Sequence, residues 1–137
     1  MINRRDARSL VFLGVLAAVI PLARAQTNPD TPTPVEAALL PRFCWKQYMG
    51  QKFSGPQYDI PRKSCGVYVN HYCPGLVSLN RANRLIGDPR RKRSLLLTAK
   101  KRVLYTLHGI STHPHCPIRA HVETTMRVIN AELGAFR

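Results

Sequence analysis

Apolar residues recur every three to four positions along three long segments, which is the spacing that places side chains on one face of an α-helix. This pattern predicts helices over 76–86, 91–108 and 118–133. Pro74-Gly75 leaves two alternatives for the first of them, which either begins near the proline or is kinked there. The predicted core positions are Leu76, Leu79, Ala82 or Asn83, and Ile86; then Leu96, Ala99, Val103, Leu107 and Ile110; and then Ile118, Val122, Thr125 or Met126, Ile129 and Leu133.

Proline and glycine mark the ends of the predicted helices. Pro41 suits the first position of a helix, so we predict a further, shorter helix over 41–49 that stops at Gly50. The central helix should end at Gly87-Asp88-Pro89, because the glycine caps it and the proline cannot continue it.

The segments between the helices have the composition of loops. Residues 51–64 and 111–117 contain prolines and no apolar periodicity, and we interpret both as loops. No segment shows the sustained alternation of a strand bounded by hairpin turns. The predicted fold is therefore all-α, with about four helices joined by short links.

The N-terminal 25 residues have the pattern of a secretory signal peptide. Three arginines precede an apolar run over 10–22, and Ala23 and Ala25 fit cleavage after residue 25. The run is 13 residues long, whereas a membrane-spanning helix needs roughly 18 to 20, so a retained anchor is the weaker alternative. We therefore expect a periplasmic or secreted protein.

Two parts of different character follow the predicted cleavage site. Residues 26–38 are rich in proline and threonine and cannot bury enough apolar surface to offset the entropy of ordering. We predict that they form a flexible leader. The remainder, 39–137, is long enough for a single helical domain.

The chain is strongly basic. It contains 21 Lys and Arg against seven Asp and Glu, and without residues 1–25 the balance is 17 against six. Such a charge favours anionic partners, with binding that weakens as salt rises; in an exported protein these are anionic lipid or envelope polymers first and nucleic acid second. Nine cations, which we call the basic run, are opposed within their own stretch only by Asp88: Arg81, Arg84, Arg90, Arg91, Lys92, Arg93, Lys100, Lys101 and Arg102. The alternative is that they form an ordinary solvated surface.

An even number of cysteines in a small exported domain predicts disulfides. The sequence allows three pairings of its four cysteines, Cys44, Cys65, Cys73 and Cys116. A competing hypothesis is a zinc or copper site formed by His71, Cys73, His113, His115 and Cys116. Because thiols in an oxidising compartment are normally oxidised to disulfides, we rank a small periplasmic metal-binding protein third and predict no cofactor.

His71-Tyr72 is the candidate for an active site, but the sequence offers no obvious nucleophile, base and orienting group around it. Asp59 is the one carboxylate of the 51–64 loop that could reach a histidine. We expect His71 and Tyr72 to hold the neighbouring loop by hydrogen bonds, with Asn70 or Asn80 satisfying buried polar groups. The sequence thus predicts a protein that is not an enzyme and has no small-molecule substrate.

Three segments carry a resemblance to a family: Leu40-Pro41-Arg42-Phe43-Cys44, NHYCPGLVSLNRAN at 70–83 and AKKRVLYTL at 99–107. They resemble small exported bacterial proteins with tetratricopeptide-like helical hairpins, whose motif HYC-x-GL-x-x-x-NRA corresponds here to His71, Tyr72, Asn80, Arg81 and their neighbours. The resemblance implies antiparallel helix pairs and an envelope location. This chain departs from the pattern at Pro74, where the family has an aromatic residue, and by stopping after one further helix.

The resemblance also implies a disulfide pairing. The cysteines that match the motifs are Cys44 and Cys73, so these two would form one bridge and leave Cys65 with Cys116. The pairing of Cys44 with Cys65 and of Cys73 with Cys116 remains open.

These observations lead to a first hypothesis and one main alternative. We predict a non-enzymatic exported helical-hairpin module that binds a protein partner of the bacterial envelope on its helical surface, assisted by charge. The alternative is a protein that binds anionic lipid or a polyanion, including nucleic acid, through the basic run.

Overall fold

The computed structural model describes residues 30–50 and 52–136. The predicted signal peptide and residues 26–29 of the predicted leader lie outside the described residues. Within them the chain is helical and has no strand, so the all-α prediction is confirmed. Its α-helices are α1 (Pro34–Ala38), α2 (Trp45–Met49), α3 (Arg62–Cys65), α4 (Tyr72–Arg84), α5 (Pro89–Ile110) and α6 (Arg119–Gly134), and 3₁₀ turns lie at Arg42–Cys44, Pro56–Tyr58 and Val67–His71.

The longest helix, α5, packs against both α4 and α6 and runs antiparallel to them. Gly75 near the start of α4 faces the second half of α5, where a Cβ on the glycine would lie 3.0 Å from Val103 Cγ2. Lys92 near the start of α5 forms an ion pair of 3.2 Å with Glu132 near the end of α6. The core fills the space between the three helices and contains most of the predicted positions, among them Leu76, Leu79, Ala82, Leu96, Ala99, Val103, Ile110, Val122, Met126 and Ile129.

The boundaries of α4 differ from the prediction at both ends. The helix begins at Tyr72, so Pro74 lies in its first turn, where backbone amides have no acceptor within the helix and a proline is tolerated without a kink. At the other end Leu85 leaves the helix with φ −75° and ψ 120°. Ile86 was predicted to be a core residue, which is wrong: it is 95% exposed because the helix ends before it.

The turn into α5 follows from three consecutive residues. Gly87 has φ +81°, a conformation that glycine adopts readily. The Asp88 side chain then accepts a hydrogen bond of 2.9 Å from the Arg91 amide, and Pro89 takes the first helical position. The predicted end of the 41–49 helix is also confirmed, because Gly50 directly follows α2 and has φ +78°.

One disulfide joins the 3₁₀ turn before α2 to α4, and the other joins α3 to the loop between α5 and α6. Cys44 is bonded to Cys73 and Cys65 to Cys116, with Cα–Cα distances of 5.8 and 4.7 Å. This confirms the pairing implied by the resemblance. All four cysteines are buried, and each bridge is expected to contribute about 2 to 4 kcal/mol by restricting the unfolded chain. The disulfides also fit an oxidising compartment.

Residues 30–38 lie within the predicted flexible leader, and the structure shows them folded against the domain. Thr33 and Glu36 form a reciprocal capping box at the start of α1, with hydrogen bonds of 3.2 and 2.8 Å. Ala37 is buried. The capping-box signature Thr33-x-x-Glu36 was present in the sequence and could have predicted this helix.

The segment predicted as a loop over 51–64 contains local structure in its described part. It includes the 3₁₀ turn Pro56–Tyr58 and the start of α3. Trp45, Phe53 and Tyr58 form an aromatic cluster with ring centroids 5.2 to 5.8 Å apart. This cluster holds the segment against α2.

Candidate functional site

Two arginines of the basic run bind carboxylates of the N-terminal segment. Arg81 donates to both carboxylate oxygens of Glu36, from Nε at 2.7 Å and from Nη2 at 2.9 Å, and Nη2 also donates to the Thr31 carbonyl at 3.0 Å. The hydrogen bond from Arg81 lowers the pKa of Glu36 to about 2. Arg102 forms an ion pair with Asp30. These contacts dock residues 30–36 on α4 and α5.

The structure therefore adds opposing carboxylates that lie outside the stretch of sequence in which Asp88 is the one acid. Arg81, Arg102 and Lys92 are paired with carboxylates that lie far away in the sequence, in the N-terminal segment and in α6. The remaining six cations form no ion pair with any residue that the structure describes: Arg84, Arg90, Arg91, Arg93, Lys100 and Lys101. Within the basic run, these six therefore contribute most to the charge of a binding surface.

Four of the six cations lie on one side of α5, facing away from the core. They alternate with two leucines at spacings of three and four residues, which puts all six on one helical face. Leu97 is 44% exposed and Leu104 is 37% exposed. We call this surface the α5 face; it consists of Arg90, Arg93, Leu97, Lys100, Lys101 and Leu104.

A polar cleft of about 750 Å³ adjoins the α5 face where the 3₁₀ turn Val67–His71 and the start of α4 meet α5. We call it the His71 cleft. The His71 ring lies edge-on to the Tyr105 ring with centroids 4.6 Å apart, and Tyr68 lies 5.3 Å from Tyr105. The polar residues that line the cleft are Asp30, Asn70, His71, Thr98, Lys101, Arg102 and Tyr105.

The adjacent residues His71 and Tyr72 face opposite directions. Tyr72 is fully buried, and its hydroxyl forms hydrogen bonds with His121 Nδ1 at 2.5 Å and Thr125 Oγ1 at 2.7 Å, both on α6. Burial raises the pKa of Tyr72 to about 12. Tyr72 thus joins α4 to α6. We predicted that it would hold the neighbouring loop, and the structure shows a different role. His71 contacts Tyr105 through its ring.

Two further predictions about polar residues are changed by the structure. Asn80 is half-buried on α4, and its side chain makes no hydrogen bond with a described residue. Asp59 forms a 2.6 Å ion pair with Lys46, which lowers the pKa of its carboxyl group. It is therefore not the partner of a histidine.

The metal-site hypothesis loses two of its five ligands, since Cys73 and Cys116 are in disulfides. His113 Nδ1 lies 3.2 Å from the Gly109 carbonyl and 3.1 Å from Thr112 Oγ1, and His115 is exposed. Over residues 30–50 and 52–136, no three His, Cys, Asp or Glu side chains are placed to hold a metal ion.

The fold and the two surfaces define a small all-α protein with two disulfides and an exposed basic helix. We compared the chain with protein-family models, with curated proteins and with solved structures, and none of these comparisons found a match. Among the described helices, none combines the length and apolar composition that spanning a membrane requires.

Proposed function

We propose that this protein is an exported, non-enzymatic binding module that docks an acidic protein partner of the bacterial envelope on its α5 face. One observation carries the proposal: exposed leucines alternate with cations that have no carboxylate partner among the described residues. Leucines supply apolar contact area, and the cations select a partner of opposite charge.

The charge of the α5 face is suited to guiding a partner. Arg90, Arg93, Lys100 and Lys101 project from one helix over about three turns, and the whole chain has a net charge of +14. A surface of one sign increases the rate at which oppositely charged partners associate, and salt reduces this effect. An acidic amphipathic helix could place apolar residues on the leucines and carboxylates on the cations.

The leucines favour a protein over a lipid bilayer. Leu97 and Leu104 keep more than half of their surface covered by the fold. They therefore offer little apolar area for insertion into a membrane, whereas a complementary protein surface can cover the exposed parts of both. Without insertion, lipid binding would depend on charge alone, at about 1 kcal/mol for each cation near the surface.

Binding to anionic lipid or another polyanion is the second candidate, and a specific feature favours it. Arg90, Arg91 and Arg93 are exposed within the first five residues of α5, where Asp88 caps the helix. Cations at this end are unfavourable for the helix dipole, so their placement costs some stability. A compact group of this kind is typical of segments that contact anionic surfaces.

A double charge reversal tests the proposal. The variant Arg93→Glu with Lys100→Glu changes the α5 face, and Arg62→Glu with Lys63→Glu makes the same change of net charge on α3. Both proteins, with the wild type, would be used for affinity capture from envelope extract at low and high salt. We expect an acidic protein to be captured by the wild type and the α3 variant and lost, by about tenfold or more, with the α5 variant.

Vesicles provide the comparison with the second candidate. Phosphatidylcholine vesicles with and without phosphatidylglycerol would be incubated with the same three proteins. Binding to the anionic vesicles that only the α5 variant loses, without capture of an acidic protein, would replace the first proposal by the second. Equal behaviour of the three proteins in both assays would contradict both.

A further inference from the structure

The His71 cleft combines features that the α5 face lacks. It is concave, and its volume of about 750 Å³ lies within the range of about 300 to 1,000 Å³ that is common for ligand sites. Its wall is formed by the rings of His71 and Tyr105, and Tyr105 is 48% exposed. Lys101 belongs to both the cleft and the α5 face, so a partner on the face can extend into the cleft.

One carboxylate already lies in the cleft. Asp30 lines it and forms an ion pair with Arg102, and the adjoining Thr31 carbonyl accepts a hydrogen bond from Arg81. A short acidic segment of the chain itself is thus bound there by charge and by main-chain hydrogen bonding. Beside it, Lys101 is exposed and has no ion pair with a described residue. The cleft therefore has one cation left for a second carboxylate.

Asn70 adds a requirement for a hydrogen-bond donor. Its Oδ1 atom is buried and has no hydrogen-bond partner among the residues that the structure describes. A buried acceptor without a partner is unfavourable, and a ligand that donates to it once the amide group rotates to face the cleft would offset that cost. A bare anion such as sulfate has no donor to offer, whereas a peptide has one at almost every residue.

We propose that the His71 cleft binds an extended acidic segment of the protein partner. A carboxylate of the segment pairs with Lys101, a backbone N–H donates to Asn70 Oδ1, and the aliphatic part of the acidic side chain packs against the rings of His71 and Tyr105. This inference rests on the proposed function and specifies the chemistry of the partner at one end of the α5 face.

The probe for this site is a short N-acetylated oligoglutamate peptide, which is added to the full-length protein. We expect it to shift the NMR signals of the His71 and Tyr105 rings. Sulfate at the same ionic strength should shift them less, because it has no donor for Asn70 Oδ1. The variants Asn70→Leu and His71→Ala should each weaken binding of the peptide by about fivefold or more. His71 is exposed, so its variant should fold even if the Asn70 variant does not.

The double variant Arg93→Glu with Lys100→Glu separates this inference from the proposed function. If it loses the captured partner while Asn70→Leu and His71→Ala bind the peptide like the wild type, the cleft proposal is wrong and the α5 face proposal stands. If the two cleft variants lose the peptide and the α5 variant keeps the captured partner, the cleft binds acidic peptide and the α5 face proposal is wrong. Equal ring shifts with sulfate and with peptide would overturn the peptide assignment.

Discussion

Gly109 offers a sharp test of how the wall of the His71 cleft is held. It lies in the last turn of α5, directly against the 3₁₀ turn that carries Tyr68, Asn70 and His71. A Cβ atom added at Gly109 would lie 2.2 Å from both Cβ and Cγ of Tyr68. Because Tyr68 Cβ is fixed to the backbone, no rotation of the side chain can relieve this overlap. The variant Gly109→Ala must therefore move the turn away from α5.

The cost of that movement can be estimated. Carbon atoms pack at about 3.5 to 4.0 Å, so the turn and the helix would have to separate by more than about 1 Å. Overpacking of this kind costs about 1 to 3 kcal/mol, and the gain in helix propensity from glycine to alanine returns up to about 1 kcal/mol. The hydrogen bond from Thr106 Oγ1 to the Tyr68 carbonyl, 3.2 Å long, would also be strained. We expect a net loss of about 2 kcal/mol.

Gly134 provides the matched control, because it is also a helical glycine near the end of a long helix. Apart from its chain neighbours and the backbone of its own helix, no described atom lies within 4 Å of a Cβ built there, so Gly134→Ala should leave stability unchanged or raise it by less than about 1 kcal/mol. Urea unfolding with intact disulfides measures both variants, and a loss of 2 kcal/mol lowers the midpoint by about 1 M if the slope is about 2 kcal/mol per M. A Gly109→Ala midpoint at or above that of the wild type would refute the close approach.

Two further variants test the polar contacts between helices. Glu36→Gln should lower the free energy of unfolding at pH 7 by about 1 to 2 kcal/mol after allowance for solvent screening, because Arg81 holds the pKa of Glu36 at about 2, below its ordinary value of 4.5. This contribution is complete above pH 4.5 and is lost as the pH falls towards 2, so urea unfolding across that range should show the two proteins converging; a constant difference would contradict the assignment. Tyr72→Phe should cost about 1 to 2 kcal/mol in the same assay at neutral pH, since it removes the hydrogen bonds to His121 and Thr125. Unchanged stability would mean that these bonds are replaced by others.

The long helices could be predicted from the sequence because the spacing of their apolar residues identifies the helical face that packs against the core. α5 and α6 match the predicted segments to within two residues at each end. The ends of α4 were less accessible. Pro74 is compatible with a helix only because it falls in the first turn, and nothing in the apolar pattern indicates that Leu85 leaves the helix and exposes Ile86.

The surfaces could be predicted only in part, because their partners are distant in the sequence. The basic run was visible as a cluster of charge, but Glu36 lies 45 residues from Arg81 and Asp30 lies 72 residues from Arg102. Only the fold shows which cations are already paired. In the same way the motif drew attention to His71, whereas its ring contact with Tyr105 depends on the packing of α5 against the 3₁₀ turn.

The disulfides have a consequence for the site as well as for stability. Cys65 and Cys73 flank the 3₁₀ turn Val67–His71 on either side, and each is bonded to a different part of the chain. The turn is a 3₁₀ segment of only five residues, and both of its ends are tied to the fold. A wall held in this way loses little conformational entropy when a ligand binds, which raises affinity without any added contact. Asn70 and His71 are therefore held in position before a partner arrives, and this is the physical reason to expect recognition in the cleft and not only along the exposed helix.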